Sequence, residues 1–394
     1  MSRLLIYCWG SLSEEPIKRA ADAVMLDYIC FKEKISNYHA DAEFAGKLIS
    51  IIHEQKIGMI FSYDYFPLIA MICEINKIPY ISWIYDCPQY TLYSKTVTSR
   101  YNYIFCFDRI FAQRLKKMGA VNCFHFPLAA EDMTEKIERL QALHGNKYCS
   151  DVSFVGNLYN EKRNRLRQAK LPEYVAGYTE GLICAQLNVY GYNFMKDALH
   201  HEVRDEIAGK CNLMLGNEYI QDKEQLVADA IGMEVTGRER ELVLKTVSAV
   251  APVTLYTFSE LPDSLRECDL KVKPFADYER EVPLIFHDSK ININITSKTI
   301  ESGIPQRVFD ILACGGFCIT NYQPEIAEHF IDGQELVLYT SMEDLADKVR
   351  YYLKYEEERK QIAKNGKEAL IQRFLLKNRF KEMIESVGMC DGND

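Results

Sequence analysis

Short apolar runs alternate with stretches whose apolar positions recur every three or four residues, and this rhythm organises most of the chain. In the first 130 residues the runs at 4–9, 58–62, 80–84 and 103–107 predict strands. The stretches 38–55, 66–76 and 109–118 between them predict helices. Strands alternating with helices in this way build a parallel sheet with crossover helices. A charged stretch, 131–147, follows His125-Phe126-Pro127 and reads as a linker. A second α/β rhythm opens with a strand at 151–155 and Gly156. Residues 160–235 break the rhythm, with few strand patterns and several helical ones, and predict a mostly helical insertion. Strands resume at 254–258, 290–295 and 336–339. Ser341-x-x-Asp344 is a capping box for a helix through Lys354. The tail, 356–388, is charged, helical and amphipathic.

The densest segment is 303–325, GIPQRVFDILACGGFCITNYQPE. Pro305 starts a helix but cannot lie inside one. Val308, Ile311 and Leu312 share its apolar face, Gly315-Gly316 stops it, and 317–320 is a short buried strand. Arg307 and Asp310, three apart, fall together on the other face. A cation and a carboxylate near a helix N-terminus suit a phosphorylated, hydroxylated ligand such as a nucleotide sugar.

Composition narrows the classes. A chain of 394 residues exceeds one hydrophobic core, so two domains are expected. A formal charge of −9 argues against a nucleic-acid partner, whose footprint is basic, but not against a small anion held in a locally positive site. The thirteen cysteines are never spaced C-x-x-C, and Cys8, Cys73, Cys106 and Cys318 lie in apolar strings. That pattern predicts buried free thiols in a reducing compartment, hence a cytoplasmic protein. No apolar run approaches the ~20 residues of a membrane span, so no transmembrane segment is expected. The start, MSRLLIYCWG, is too short in apolar residues for a signal-peptide core.

Several chemistries lack their motifs. There is no G-x-G-x-x-G after a strand, no P-loop, no H-E-x-x-H and no G-x-S-x-G elbow. No Asp-x-Asp occurs, so neither a metal nor another cofactor is expected.

From Asn292-Ile293-Asn294-Ile295-Thr296 through Ser302-Gly303-Ile304-Pro305-Gln306-Arg307-Val308-Phe309-Asp310, Gly315-Gly316-Phe317, Asn321-Tyr322-Gln323 and Tyr351-Tyr352-Leu353, the chain resembles the CgeB-like (spore maturation protein) glycosyltransferases. Pro79-Tyr80-Ile81-Ser82-Trp83-Ile84-Tyr85-Asp86 with Pro88, and Phe154-Val155-Gly156-Asn157-Leu158-Tyr159, extend the match. The resemblance implies an α/β GT-B fold, two Rossmann-like domains facing each other across a cleft. On this reading 1–130 is the acceptor-side domain and 131–150 the linker. Residues 151–365 bind the nucleotide sugar, and 366–388 is a helix returning to the first domain. The 292–325 segment is also similar, more distantly, to glycogen-synthase-like retaining glycosyltransferases. There two acids eight apart bracket a helix and the second holds the ribose. Asp310 matches the second; Ser302, beside Glu301, stands where the first would be. Pro324-Glu325 matches a loop that in those enzymes lies by the sugar and diphosphate.

The candidate donor residues are therefore Gly156, Asn157, Lys162, Arg163, Lys298, Ser302, Gly303, Gln306, Arg307, Asp310, Gln323 and Glu325. Gly156 lets backbone amides approach a phosphate, and Lys162 or Arg163 supplies charge. Arg165 and Arg167 read instead as a solvated helix face, and Lys298 as a diphosphate contact or a surface lysine. Asp310 accepts hydrogen bonds from a ribose diol, or simply pairs with Arg307 in an exposed ion pair. On the acceptor side stand Gly10, Ser11, Tyr85 and Asp86, with Ser13 nearby. Asp86 is placed to orient the acceptor or act as general base, or else caps the turn closed by Pro88. Asp86 and Arg307 are the catalytic candidates. His125 and His287 read as packed histidines, and Tyr178, Tyr190 and Tyr192 as core or sugar-stacking rings.

The expected activity is metal-independent transfer of a sugar from a nucleoside diphosphate sugar, UDP by resemblance, to a glycan, protein or small-molecule acceptor. A GT-B epimerase or phosphorylase, and a silent nucleotide-sugar-binding subunit, are the alternatives.

Overall fold

The structure, a computed structural model, describes residues 3–145, 147–160 and 164–390; Lys162 and Arg163 lie outside the described residues. The chain divides into two compact units. The first is the chain up to Glu131, Leu215–Gln221 and the chain from Phe374 onward; the second is Asp132–Met214 and Asp222–Arg373.

In the first unit, β1 (Arg3–Tyr7), β2 (Tyr28–Phe31), β3 (Ile57–Tyr63), β4 (Tyr80–Ile84), β5 (Asn102–Cys106) and β6 (Asn122–His125) form one sheet in the order β2-β1-β3-β4-β5-β6. Every pairing is parallel. Strands β4 and β5 are buried throughout, as expected of central strands covered on both faces. Asp41 and Asp108 cap the following helices by accepting from Phe44 N at 3.0 Å and Phe111 N at 2.8 Å. The final helix, Leu376–Cys390, packs within this unit: Phe380 is buried with its ring 5.4 Å from that of Phe61, and Leu376 N donates to Ala130 O. Burying such a ring contributes about 1.5–3 kcal/mol.

In the second unit, β7 (Ser150–Val155), β8 (Val253–Tyr256), β9 (Leu270–Lys273), β10 (Ser289–Asn294), β11 (Cys318–Asn321) and β12 (Val337–Tyr339) pair in the order β12-β11-β10-β7-β8-β9, again all parallel. Counted from its own first strand, this is the doubly wound order of dinucleotide folds. The helix Gln306–Ala313 follows Pro305, with Val308, Ile311 and Leu312 fully buried. A side chain at Gly316 would put its Cβ 2.5 Å from Phe286 O and 2.8 Å from Asn292 Nδ2, so only glycine fits there. The Asn-x-Asn of 292–294 is structural: Asn292 donates to Phe286 O at 2.9 Å and accepts from Ser153 Oγ, while Asn294 donates to Thr320 Oγ1 at 2.8 Å. These bonds satisfy polar groups inside the sheet's cover.

Three strands escaped the sequence reading, β2, β6 and β9, and all are edges. An edge strand is short and half exposed, so Leu270-Lys271-Val272-Lys273 carries too little apolar signal. The supposed linker 131–147 contains the helix Thr134–His144, which belongs to the second unit and buries Ile137 and Leu140. Its charged residues masked that two-position stripe. The helical insertion runs past 235, because Lys223–Ser248 is one helix whose Val243, Leu244 and Val247 remain buried. Residues 215–221 leave the insertion and join the first unit, where Lys95 N donates to Glu218 O and Ile220 N to Tyr93 O. The tail is two helices, Glu356–Arg373 in the second unit and Leu376–Cys390 in the first; the change falls at Phe374 and not at 366. The Ser341 cap is present, with Asp344 N donating to Ser341 Oγ at 3.1 Å. The twelve described cysteines are free thiols, with Cys8, Cys73, Cys106 and Cys318 buried.

Candidate active site

In open α/β sheets, ligands bind beyond the carboxyl ends of the strands, where the order of connection reverses. In the second unit that point lies between β7 and β10. Gly156 and Asn157 leave β7, and residues 295–299 leave β10. Arg240, on the helix Lys223–Ser248, ties the two ends together: its guanidinium donates to Asn157 O and, at 3.2 Å, to Ile295 O. It also lies over the rings of Tyr159, at 4.5 Å, and Phe154. The sequence reading missed Arg240, since the mixed charges of Arg238-Glu239-Arg240-Glu241 look like a solvated helix face.

The helix Gln306–Ala313 presents Arg307 and Asp310 from the next crossover. No side chain caps its N-terminus. Asp310 Oδ1 accepts from Tyr278 OH at 2.9 Å and from Gln306 Nε2 at 2.8 Å. Arg307 Nη1 stands 3.8 Å from Asp310 Oδ2, with side chains only 28% and 11% exposed. The alternative of an exposed ion pair is thus not met, because the pair is largely buried. Arg307 packs over the Phe286 ring, and its Nη1 is buried with no hydrogen-bond partner. Burial pushes the Asp310 carboxyl up; the charge of Arg307 and the bonds from Gln306 and Tyr278 oppose that. Burial and Asp310 together push the Tyr278 phenol up.

Ser302 and Glu325 are buried together: Ser302 Oγ donates to Glu325 Oε1 at 2.6 Å, and Glu325 N to Ser302 O at 3.2 Å. A carboxylate therefore stands beside position 302 even though residue 302 is a serine. Gly303 is buried in the same loop, and Gln323 fixes it by donating to Ile300 O at 3.0 Å.

Lys298 is not a surface lysine. It is 7% exposed; its Nζ stands 3.4 Å from Glu239 Oε1 and 3.4 Å from Val189 O, and 4.4 Å from the centre of the Tyr190 ring. Burial pushes the Glu239 carboxyl up, and Lys298 opposes it. Much of the lysine's charge is spent on that carboxylate. Arg167 also departs from a solvated face, pairing with buried Glu234 at 2.9 Å, while Arg165 donates to Asn212 O. Tyr178 donates to Ala198 O, Tyr192 to Asp197, and His287 Nδ1 lies 2.9 Å from Cys314 O.

In the first unit the reversal lies between β1 and β3. Gly10, at φ +104°, and Ser11 follow β1, but their amides already donate to Glu14 Oε1 at 2.5 and 3.0 Å. Ser13 is buried at the start of the helix Glu14–Ala23, and His125 ends β6. Tyr85 and exposed Asp86 follow β4, and both amides donate to Asp64 Oδ1, at 2.9 and 3.0 Å. Asp64 follows β3 at φ +59° and is buried. Burial first, then the charge of Asp86, push its carboxyl up to about 7. The sequence reading missed this residue, because Ser62-Tyr63-Asp64-Tyr65 carries no motif.

A family model described as glycosyl transferase-like matches residues 246–385, the segment that carries Arg307, Asp310 and Glu325. HepE of Anabaena, solved with UDP and glucose, is similar over 99% of this chain and 100% of its own, with a TM-score of 0.56 and 10% identity. Sucrose-phosphate synthase of Thermosynechococcus elongatus is similar over 100% of both chains, at 0.57 and 9%. AviGT4, a glycosyltransferase of avilamycin A biosynthesis, covers 100% of this chain and 99% of its own, at 0.53 and 9%. No curated protein matches in sequence. The fold is that of the GT-B glycosyltransferases. Within this GT-B chain the two sheet edges hold different chemistry: buried cations and carboxylates in the second unit, a carboxylate pair in the first. No helix is long and apolar enough to cross a membrane among the described residues.

Proposed function

We propose that this glycosyltransferase, of the CgeB-like kind, moves a sugar from a UDP-sugar to a glycan, protein or small-molecule acceptor without a metal. The observation that carries the reading is the buried, unbonded Nη1 of Arg307 beside Asp310, at an uncapped helix N-terminus. A buried donor without an acceptor costs about 1–3 kcal/mol, and an anionic ligand oxygen removes that cost. Structures similar to this chain were solved with UDP, UDP and glucose, and UDP-glucose, which supports UDP as the carrier.

In this reading Asp310 Oδ2 accepts from the ribose diol, and Gln306 and Tyr278 hold the carboxylate in place through Oδ1. Arg307 and the N-terminus of its helix stabilise the diphosphate as the anomeric C–O bond breaks and negative charge gathers on the leaving phosphate oxygen. Arg240 keeps the Gly156-Asn157 turn and the end of β10 at a fixed spacing, so the turn's amides stay preorganised. Glu325, buried against Ser302, supplies the carboxylate that residue 302 lacks, and this favours turnover over a silent binding subunit. Asp86 takes the proton of the acceptor hydroxyl or orients it.

Titration calorimetry with UDP tests the reading. Binding is expected in EDTA and unchanged by manganese; binding that needs manganese refutes metal independence, and no binding in either condition refutes the donor site.

A further inference from the structure

Trp9 and Asp64 sit at the reversal point of the first sheet, and neither belongs to the donor chemistry. Trp9 is 36% exposed, yet its indole is fixed: Nε1 donates to Tyr63 O at 3.0 Å, and the ring meets Phe66 at 6.1 Å. Tyr38, also exposed, packs on the same Phe66 at 5.9 Å. The bond to Tyr63 O brings the indole against the residue that precedes Asp64. Asp64 is 2% exposed, and its Oδ1 is consumed by the amides of Tyr85 and Asp86. Its other oxygen, Oδ2, has no protein partner among the described residues.

Resting on the glycosyltransferase reading, we propose that this edge is a carbohydrate-acceptor subsite, in which the Trp9 face stacks on a pyranose ring and Asp64 Oδ2 accepts its hydroxyls. A pyranose combines an apolar C–H face with a hydroxyl rim. This end of the sheet offers the complement of both: a rigid indole whose N–H is already used on Tyr63 O, so that it presents its π face, and, at the next residue along, a carboxylate whose Oδ1 is fixed by two backbone amides. Burial and the charge of Asp86 push the Asp64 carboxyl toward its protonated form, and a carboxyl in either state meets a hydroxyl, as acceptor when ionised or as donor when protonated. Exposed Asp86, on the amide that Asp64 anchors, then lies next to the sugar and takes the proton of the attacking hydroxyl. A serine or threonine of a protein acceptor offers no ring to stack and leaves the indole unused.

The chain has two tryptophans, and Trp83 is fully buried, so quenching by added saccharide reports on Trp9. Intrinsic fluorescence is titrated with a panel of neutral mono- and disaccharides, with UDP present. A saturable change is expected for at least one sugar, with the dissociation constant raised at least about tenfold in Asp64→Asn while UDP affinity by calorimetry is unchanged. If Asp64→Asn does not fold, Trp9→Ala is compared with wild type by saccharide calorimetry, and the same loss is expected. No response to any sugar, an unaltered response in the variants, or saturation by a Ser/Thr peptide instead overturns the proposal. Because UDP is measured separately, a wild-type protein that binds UDP but no saccharide fails the subsite, and one that binds saccharide but no UDP fails the donor reading.

Discussion

Replacing Asp64 by Asn should remove a pH-dependent contribution to stability. The variant keeps an oxygen for the amides of Tyr85 and Asp86, and Asn tolerates the positive φ of +59° that most side chains resist. What it removes is the charge. The carboxyl is pushed up from its ordinary value of 3.8 to about 7 in the folded chain, by burial and then by the charge of Asp86. Between those values the folded state binds more protons than the unfolded one, so this group's contribution to stability falls as pH rises. For a shift of that size the loss between pH 5 and pH 8 is about 2–3 kcal/mol. Asn does not titrate, so the variant should gain on wild type by that amount over the interval, and other titrating groups cancel in the comparison. Thermal and urea unfolding of both proteins at pH 5, 6.5 and 8 measure it. A difference between the two proteins that is the same at all three pH values would refute a buried, proton-holding Asp64.

Lys298→Met should destabilise by about 3–5 kcal/mol, because Glu239 is left buried and unpaired, and Lys298→Met with Glu239→Gln should recover most of it. Urea unfolding decides; a loss under about 1 kcal/mol for the single variant would return Lys298 to the surface. Asp310→Asn should weaken UDP binding by about 1–3 kcal/mol, and Arg307→Ala should lower kcat more than it raises KM for the donor. Wild-type calorimetric affinity in Asp310→Asn would remove that residue from the donor site.

The central strands, the helix Gln306–Ala313 and its Gly-Gly stop were legible in the sequence, because each is a local consequence of apolar spacing, Pro305 and a glycine that alone fits. Arg307, Asp310 and Glu325 were legible for the same reason: short loops and one helix place them. Three of the four edge strands, β2, β6 and β9, were not, since half-exposed backbone needs few apolar residues and its partners lie far along the chain. Arg240 and Asp64 were invisible as functional groups, and Lys298 was legible only as a diphosphate contact or a surface lysine, because their meaning comes from burial. Each carries an ordinary surface side chain, and only the tertiary structure removes it from water. Arg240 lies 83 residues from Asn157 and 55 from Ile295. Asp64 reaches the amides of Tyr85 and Asp86 only because β3 and β4 are neighbours in one sheet. Local pattern settles where strands and helices form; strand order and burial, which depend on contacts distant in sequence, decide which of their charges become chemistry.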